Sequence, residues 1–350
     1  MIPLDLPVNL GLVAIGIAVA WLVARRRLRP TVAAVLAAAL GLGVAFVTMV
    51  GTGDVFAGMR ALAWLLFAHL PLLLAWTAIR TRGTCRWVSS ITAVAIVVLG
   101  LEAFVREPTA LSVTRYTVVS AKVERPLRIA VLSDLQTDDP GAYERRAIRA
   151  VLDAEPDLIL LPGDFVQARG RERNRQLRGQ LRELLVEEGL AAPLGVYAVR
   201  GNVEHDGWTD VFDGLAVMAS DRSTHHQQGP VSVTALSFRR GFDPGATVPG
   251  TRGFHIAFAH APDFALGEID ADLLVAGHTH GGQVVLPGIG PLITLSRVPR
   301  AWASGLTALP GDRTLVVSRG VGMERGLAPR LRLLCTPEVV IIDVVPPRRR

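Results

Sequence analysis

Four apolar stretches long enough to cross a bilayer crowd into the first 105 residues of this 350-residue chain. A spanning helix needs about 20 predominantly apolar residues, because the hydrocarbon core is about 30 Å thick. Leu4 to Ala24, Thr31 to Val50, Ala61 to Ile79 and Val88 to about Val105 meet that length. A chain that is 50% hydrophobic and 19% charged fits a membrane segment joined to a folded domain, and excludes disorder or a collagen-like repeat. The first stretch has neither a basic leader nor a small-residue cleavage site, so a cleaved signal peptide is not expected. His69 and Pro71 interrupt the third stretch. A lone neutral histidine beside a proline kink reads as structural.

The loops between these stretches differ in basic content. Arg25, Arg26, Arg27 and Arg29 follow the first, and Arg80, Arg82 and Arg86 follow the third. The second loop, Gly51 to Met59, carries Asp54 and no basic residue before Arg60. The positive-inside rule puts the first and third loops in the cytoplasm, so both termini and everything after Val105 are expected outside it. The expected organisation is a transmembrane domain over 1–106 and a second domain over 107–350. Net charge is +6, carried by arginines with Lys122 the sole lysine. Many of them flank the apolar stretches or form the terminal Arg348-Arg349-Arg350. That placement suits a membrane surface, and with no aromatic-interleaved basic motif nucleic acid is not an expected partner. Cys85 and Cys335 exclude a disulfide framework and a thiolate metal cluster. Placed on opposite sides of a membrane, they are expected as free thiols.

Beyond Arg106 the pattern changes. Ser112 to Ser120 alternates like an exposed strand, and Leu127 to Asp134 is a short apolar run ending in an acid. A buried strand delivering a side chain at its C-terminal edge has that form. Asp157 to Asp164 repeats it, and Gly195 to Asn202 ends in an amide instead. Helices are expected over Tyr143–Ala154 and Arg171–Glu188, the charges of the second reading as a solvated face. Further strands fit Val231–Phe238, Phe254–Ala259, Leu273–Ala276, Thr314–Ser318 and Val339–Val345, with Gly241–Gly253 a surface loop. Strands alternating with helices, then a strand-rich half, predict α/β layers.

Strand ends place oxygen and imidazole ligands at Asp134, Asp164, Asn202, His260, His278 and His280. Mixed carboxylate, amide and imidazole ligands suit Mn, Fe or Zn. Two divalent ions about 3.5–4 Å apart need one shared ligand and separate ones on each side, which six such residues supply. In Gly277-His278-Thr279-His280-Gly281-Gly282, two imidazoles bracketed by glycines have no packing explanation.

Ser133-Asp134-Leu135-Gln136, Gly163-Asp164, Gly201-Asn202, His260-Ala261-Pro262 and Gly277 to His280 resemble, in order, the five blocks of the calcineurin-like metallophosphoesterase family. Gly281 to Gly288, Ala303-Ser304-Gly305, Ser318 to Gly322 and Pro337-Glu338 look like its membrane-associated bacterial YkuE/YaeI-like branch. The resemblance spans about Leu127 to Val345. It implies a four-layer α/β/β/α metallophosphoesterase sandwich, here preceded by an α-helical membrane domain of four spans, binding two divalent metal ions. Mn is the first choice, with Fe, Zn or Mg as alternatives. Asp164 would bridge the ions and act in catalysis. Asp134, Gln136 and His280 would bind the first, and Asn202, His260 and His278 the second, with a hydroxide held between them attacking phosphorus.

Two positions depart from the family. Gln136 stands where it has His, a weaker ligand for Zn or Fe. Val203 stands where it has the His that polarises the phosphate and protonates the leaving group. His205 is the candidate replacement, ahead of His225 and His226 in an expected loop. Losing a general acid favours good leaving groups, hence a pyrophosphate or activated diester. Arg319 first, then Arg200, Arg297 and Arg300, are candidate phosphate contacts. The expected partners are a phosphoester substrate, lipid-linked or from the cell envelope, and the membrane, with oligomeric state open. Two alternatives stay open: a catalytically weakened metal- or phosphate-binding scaffold or sensor, and a UDP-2,3-diacylglucosamine-type pyrophosphatase if the domain is cytoplasmic.

Overall fold

A computed structural model describes residues 4–25 and 27–347. Arg26 and Arg348–Arg350, which entered the charge reading above, lie outside them. The described chain divides into two units. One holds the residues up to Arg106 with Glu324–Arg330; the other holds Glu107–Met323 and the chain from Leu331 on.

Four helices among the described residues are long and apolar enough to cross a membrane: Asp5–Ala24, Pro30–Thr52, Val55–Arg80 and Gly83–Thr109. The third begins before the expected Ala61 because Arg60, which broke the apolar pattern, is answered by Asp5. Arg60 Nε and Nη2 donate to the two Asp5 oxygens at 2.7 and 2.6 Å, and Trp64 Nε1 adds a third donor at 2.8 Å. The fourth helix starts at Gly83 rather than Val88, its first turns carrying Thr84, Cys85 and Arg86. The Leu65–His69 turn of the third is a π-helix, ahead of Pro71, which cannot donate a backbone hydrogen bond. His69 Nε2 lies 2.8 Å from Asn9 Oδ1, a packing contact between helices. On the second helix Ala33, Ala37, Gly41 and Ala45 recur every fourth residue on the buried face. Small residues at that spacing let backbones approach where lipid offers no hydrophobic incentive to associate. The outward residues, among them Ile17, Val47, Leu72, Ile79 and Ile91, are apolar and exposed. Trp21, Trp76 and Trp87 sit at the arginine-bearing helix ends, where aromatic residues gather at membrane interfaces.

The second unit is built on two six-stranded mixed sheets. The first runs in spatial order Ser112–Val119, Glu338–Val345, Leu127–Val131, Leu158–Leu161, Val196–Val199 and Val217–Ser220. All its neighbours are parallel except Glu338–Val345 against Leu127–Val131. The second runs Gly305–Leu309, Arg313–Val317, Leu273–Ala276, Phe254–Phe258, Val231–Ala235 and Thr224–Gln228, its two outer pairs antiparallel.

Alternation along the strands decides the layers. Ile129, Val131, Leu158, Leu160 and Val199 face Val233, Ile256, Phe258, Leu273 and Val275 in a core between the sheets. Ala130, Ile159, Leu161 and Ala198 point the other way, onto Ile148, Val151, Leu177 and Leu181 of helices Ala142–Leu152 and Arg171–Glu187. The outer face of the second sheet is covered more thinly, by Leu236, Phe264 and Ile269. Three strands of these two sheets, and the two small two-stranded sheets, were absent from the sequence reading. Val217–Ser220 and Gly305–Leu309 are short edge strands, and Thr224–Gln228, expected as a loop, pairs along Val231–Ala235. That pairing removes His225 and His226 from candidacy as loop acids: His225 Nδ1 lies 2.9 Å from Thr234 Oγ1, and the His226 ring packs on Tyr197.

Candidate metal centre

Every expected ligand leaves the C-terminal end of a parallel strand, the edge where open α/β sheets present their binding residues. Asp134 follows Leu127–Val131, Asp164 follows Leu158–Leu161, and Asn202 follows Val196–Val199. His260 follows Phe254–Phe258, while His278 and His280 follow Leu273–Ala276. Ligand atoms of Asp134, Asp164 and His260 lie within 4.8 Å of one another, and all three residues are buried.

The backbone there is forced. Asp134, Gln136, Asp164, His278 and His280 have φ of 52°, 35°, 58°, 69° and 47°. Left-handed backbone is uncommon outside glycine and clusters at functional sites. Glycine is needed where these turns meet. A Cβ on Gly201 would lie 2.7 Å from the Asp164 nitrogen and closer still to its Oδ1, and one on Gly277 would run into Ser133 and Asp134.

Hydrogen bonds fix the imidazoles. His260 Nδ1 lies 2.9 Å from the Pro162 carbonyl, and His278 Nε2 lies 3.2 Å from that of Leu295. A carbonyl only accepts, so each ring carries its proton on that nitrogen, leaving a lone pair on the other. Those lone pairs converge. His278 Nδ1 is 3.2 Å from His260 Nε2, which is 2.9 Å from Asn202 Oδ1 and 3.6 Å from Asp164 Oδ2. Burial pushes both histidines below their ordinary pKa, so they stay neutral. Acceptors brought this close to one another fit a divalent cation, which Asp164, Asn202, His260 and His278 would hold.

The first set fits less completely. His280 Nε2 stands 3.9 Å from Asp134 Oδ1. Asp134, pushed up to about 7 by burial, accepts from Ser133 Oγ and from the His278 amide at 3.1 Å. Gln136 turns its amide nitrogen, not its oxygen, towards Asp164 Oδ2 at 3.0 Å, so an oxygen ligand there requires the amide to rotate.

Two residues that the sequence reading passed over hold this frame. The buried Glu204 carboxylate accepts from the backbone of Asp164, Phe165 and Gly201 at 3.0, 2.6 and 2.6 Å. Its signal was its place in the polar stretch closing the third strand-and-turn pattern. Arg332 is wholly buried behind His280, donating to the Arg319, Cys335 and Gly322 carbonyls and lying 3.3 Å from His280 Nδ1. Nothing in the pattern around Leu331–Leu334 marked it as interior.

The remaining candidates are placed differently. Val203 contributes its backbone, donating to Asp164 Oδ1 at 3.0 Å. His205 is exposed on the same loop and makes no hydrogen bond among the described residues. Arg319 lies at the expected sheet edge, but its guanidinium is held by the buried Glu338 at 2.6 Å. Arg200 Nη2 donates to the Glu204 carbonyl at 2.9 Å. Arg297 and Arg300 are exposed.

Residues 127–282, which carry all six strand-end candidates, match the family described as calcineurin-like phosphoesterase. The domain is a calcineurin-like phosphoesterase. The chain is 28% identical to the metallophosphoesterase YkuE of Bacillus subtilis over 262 residues, covering 68% of this chain and 87% of that one. It is 28% identical to the phosphodiesterase YaeI of Escherichia coli, covering 63% and 83%. It is also 25% identical to the UDP-2,3-diacylglucosamine pyrophosphatase LpxG of Chlamydia muridarum, covering 62% and 83%. The phosphoesterase domain is thus a hydrolase of phosphoester bonds, and its family is metal-dependent.

Proposed function

We propose that the phosphoesterase domain hydrolyses a phosphodiester or pyrophosphate of a lipid-linked or cell-envelope substrate, outside the cytoplasm. The observation that carries the metal-dependent chemistry is the convergence of His260, His278, Asn202 and Asp164 lone pairs on one point. Asp134, Gln136 and His280 would hold a second ion across Asp164, with Mn the first choice for both. Bound there, the ions would supply charge neutralisation at phosphorus and a nucleophile available at neutral pH.

The chain's own groups set the rest. Asn202 is exposed while Asp134, Asp164 and His260 are buried, which gives a phosphate access from one side and keeps water from the others. Val203 offers no proton to a departing alkoxide, which favours leaving groups that need none. His205 and Arg200, on the loop after Val196–Val199, are the candidate proton donor and phosphate contact. The membrane helices, and the arginines and tryptophans at one set of their ends, support a substrate held near a bilayer and the stated orientation.

A second reading, cleavage of a UDP-2,3-diacylglucosamine-type pyrophosphate, is favoured by the LpxG relatives and requires the domain in the cytoplasm. A reporter fused after Arg350 that fluoresces only in the cytoplasm separates the two.

The test of activity uses the full chain in detergent, metal-stripped and then given Mn, Mg, Zn or Fe singly, with bis(p-nitrophenyl) phosphate. Metal-dependent turnover abolished by Asp164→Asn is the expected result. Metal bound without turnover on diesters, monoesters or pyrophosphates would replace the enzyme reading with a metal-holding scaffold.

A further inference from the structure

Helix Arg171–Glu187 carries Arg171, Arg175 and Arg178 at i, i+4 and i+7, one face of one helix. Like charges at that spacing repel, so such a face is expected to spread into solvent. Arg171 and Arg175 are exposed in that way, and with Arg178 they line one side of an open cavity of about 230 Å³, whose other side is Arg200, His205 and Asp206 of the loop that bears Asn202. Asp206 is the one carboxylate in the lining. Acids at the rim answer part of the charge: Asp210 holds Arg178 at 2.5 and 2.8 Å, Glu172 lies 3.3 Å from Arg175, and Asp221 lies 3.9 Å from Arg200. Arg171 has no carboxylate within 4.0 Å among the described residues, and the buried Arg200 Nε has no hydrogen-bond partner.

The cavity shares a loop with the candidate ligand Asn202. The Glu204 whose carbonyl holds Arg200 is the residue whose carboxylate holds the Asp164 and Gly201 amides. Arg200 stands two residues from Asn202, roughly 7 Å along an extended backbone.

We infer that this arginine-lined cavity is a subsite for a second, non-scissile phosphate of the substrate, so that the preferred substrate carries a further phosphate beyond the ester it loses. Guanidinium groups suit the charge and geometry of phosphate oxygens. The link to substrate rests on the hydrolase reading; the affinity for phosphate rests on the cavity alone.

Two arms keep these apart. In the first, the metal-stripped full chain in detergent is titrated calorimetrically with inorganic pyrophosphate, comparing wild type with R171Q/R175Q, two exposed side chains remote from the ligands. Affinity at least about tenfold weaker in the variant is expected. Equal affinity, or no binding by wild type, overturns the subsite. In the second, the Mn-loaded proteins hydrolyse bis(p-nitrophenyl) phosphate and the 5′-(p-nitrophenyl phosphate) of thymidine 3′-phosphate. The variant is expected to raise KM about tenfold for the thymidine ester only, with kcat unchanged. Weakened pyrophosphate binding with neither KM altered assigns the cavity to free phosphate and overturns the substrate claim. Absence of turnover by wild type on both esters sinks the hydrolase reading and, with it, the link to substrate, and leaves the calorimetry to decide the cavity.

Discussion

Replacing Gly201 with alanine tests the claim that close backbone approach, rather than ligand identity alone, makes the metal centre. The φ of Gly201 is not in the left-handed region, so alanine can adopt its backbone and only space is at issue. The added Cβ would lie 2.7 Å from the Asp164 nitrogen and 2.8 Å from its Cγ, where ordinary contact begins at 3.4 Å. The Asp164 backbone must therefore retreat by about 0.7 Å, the difference between 3.4 and 2.7 Å, and its Oδ1 by more. Misplacing a catalytic group by about 1 Å costs on the order of 100-fold in rate. Overpacking of this kind destabilises by about 1–3 kcal/mol, small enough to leave a folded protein. Gly201→Ala is thus expected to lower kcat on bis(p-nitrophenyl) phosphate about 100-fold and to weaken Mn binding measured calorimetrically, with secondary structure intact by circular dichroism. Gly179→Ala is the control, since nothing lies within 4 Å of a Cβ there and helix propensity favours the change by about 1 kcal/mol. Wild-type turnover and metal affinity in Gly201→Ala would refute the reasoning.

Glu204→Gln keeps the shape but sets an amide N–H₂ against one of three backbone donors, and should lower the unfolding free energy by about 1–3 kcal/mol, read as a lower denaturation midpoint, with weaker Mn binding; an unchanged midpoint would remove Glu204 from the frame. Val203→His should raise turnover of alkyl diesters, whose leaving groups need a proton, while leaving aryl diesters near wild type; equal effects on both would argue against a missing acid. His255 is buried between Thr234 and the Asp270 carbonyl, and burial holds its pKa below the ordinary 6.5. Below about pH 6.5 the unfolded chain binds a proton that the folded one refuses, so stability falls as pH drops from there. Melting temperatures between pH 8 and 5 should show that fall, and His255→Gln should flatten part of it; parallel profiles would assign the fall elsewhere.

The strand-then-ligand pattern made the centre legible because a buried parallel strand is a continuous apolar run whose polar residue can only sit at its end. Asp134, Asp164 and Asn202 were visible for that reason, and His278 and His280 because glycines flank them. The edge strand Thr224–Gln228 was not, since one side of an edge needs no apolar alternation and its Thr-His-His-Gln-Gln composition reads as a turn. Arg60 hid the start of the third helix because its partner, Asp5, is distant in sequence. Arg332 hid for a similar reason: its acceptors are carbonyls, which leave no mark in composition. Helix Arg171–Glu187 was found nearly residue for residue and its charged face is exposed as expected, while only the fold brings Arg200 opposite Arg171, Arg175 and Arg178.

The left-handed backbone at five candidate ligand positions limits how this centre can evolve. Each such residue carries strain on the order of 1–2 kcal/mol that the surrounding sheets must hold. Substitution at these turns favours residues that tolerate a left-handed backbone, chiefly glycine, asparagine, aspartate and histidine, and disfavours β-branched ones. Drift at those positions can exchange one oxygen or nitrogen donor for another and so retune which metal is held. The scaffold stays unaltered, and metal preference can diverge among relatives faster than their fold.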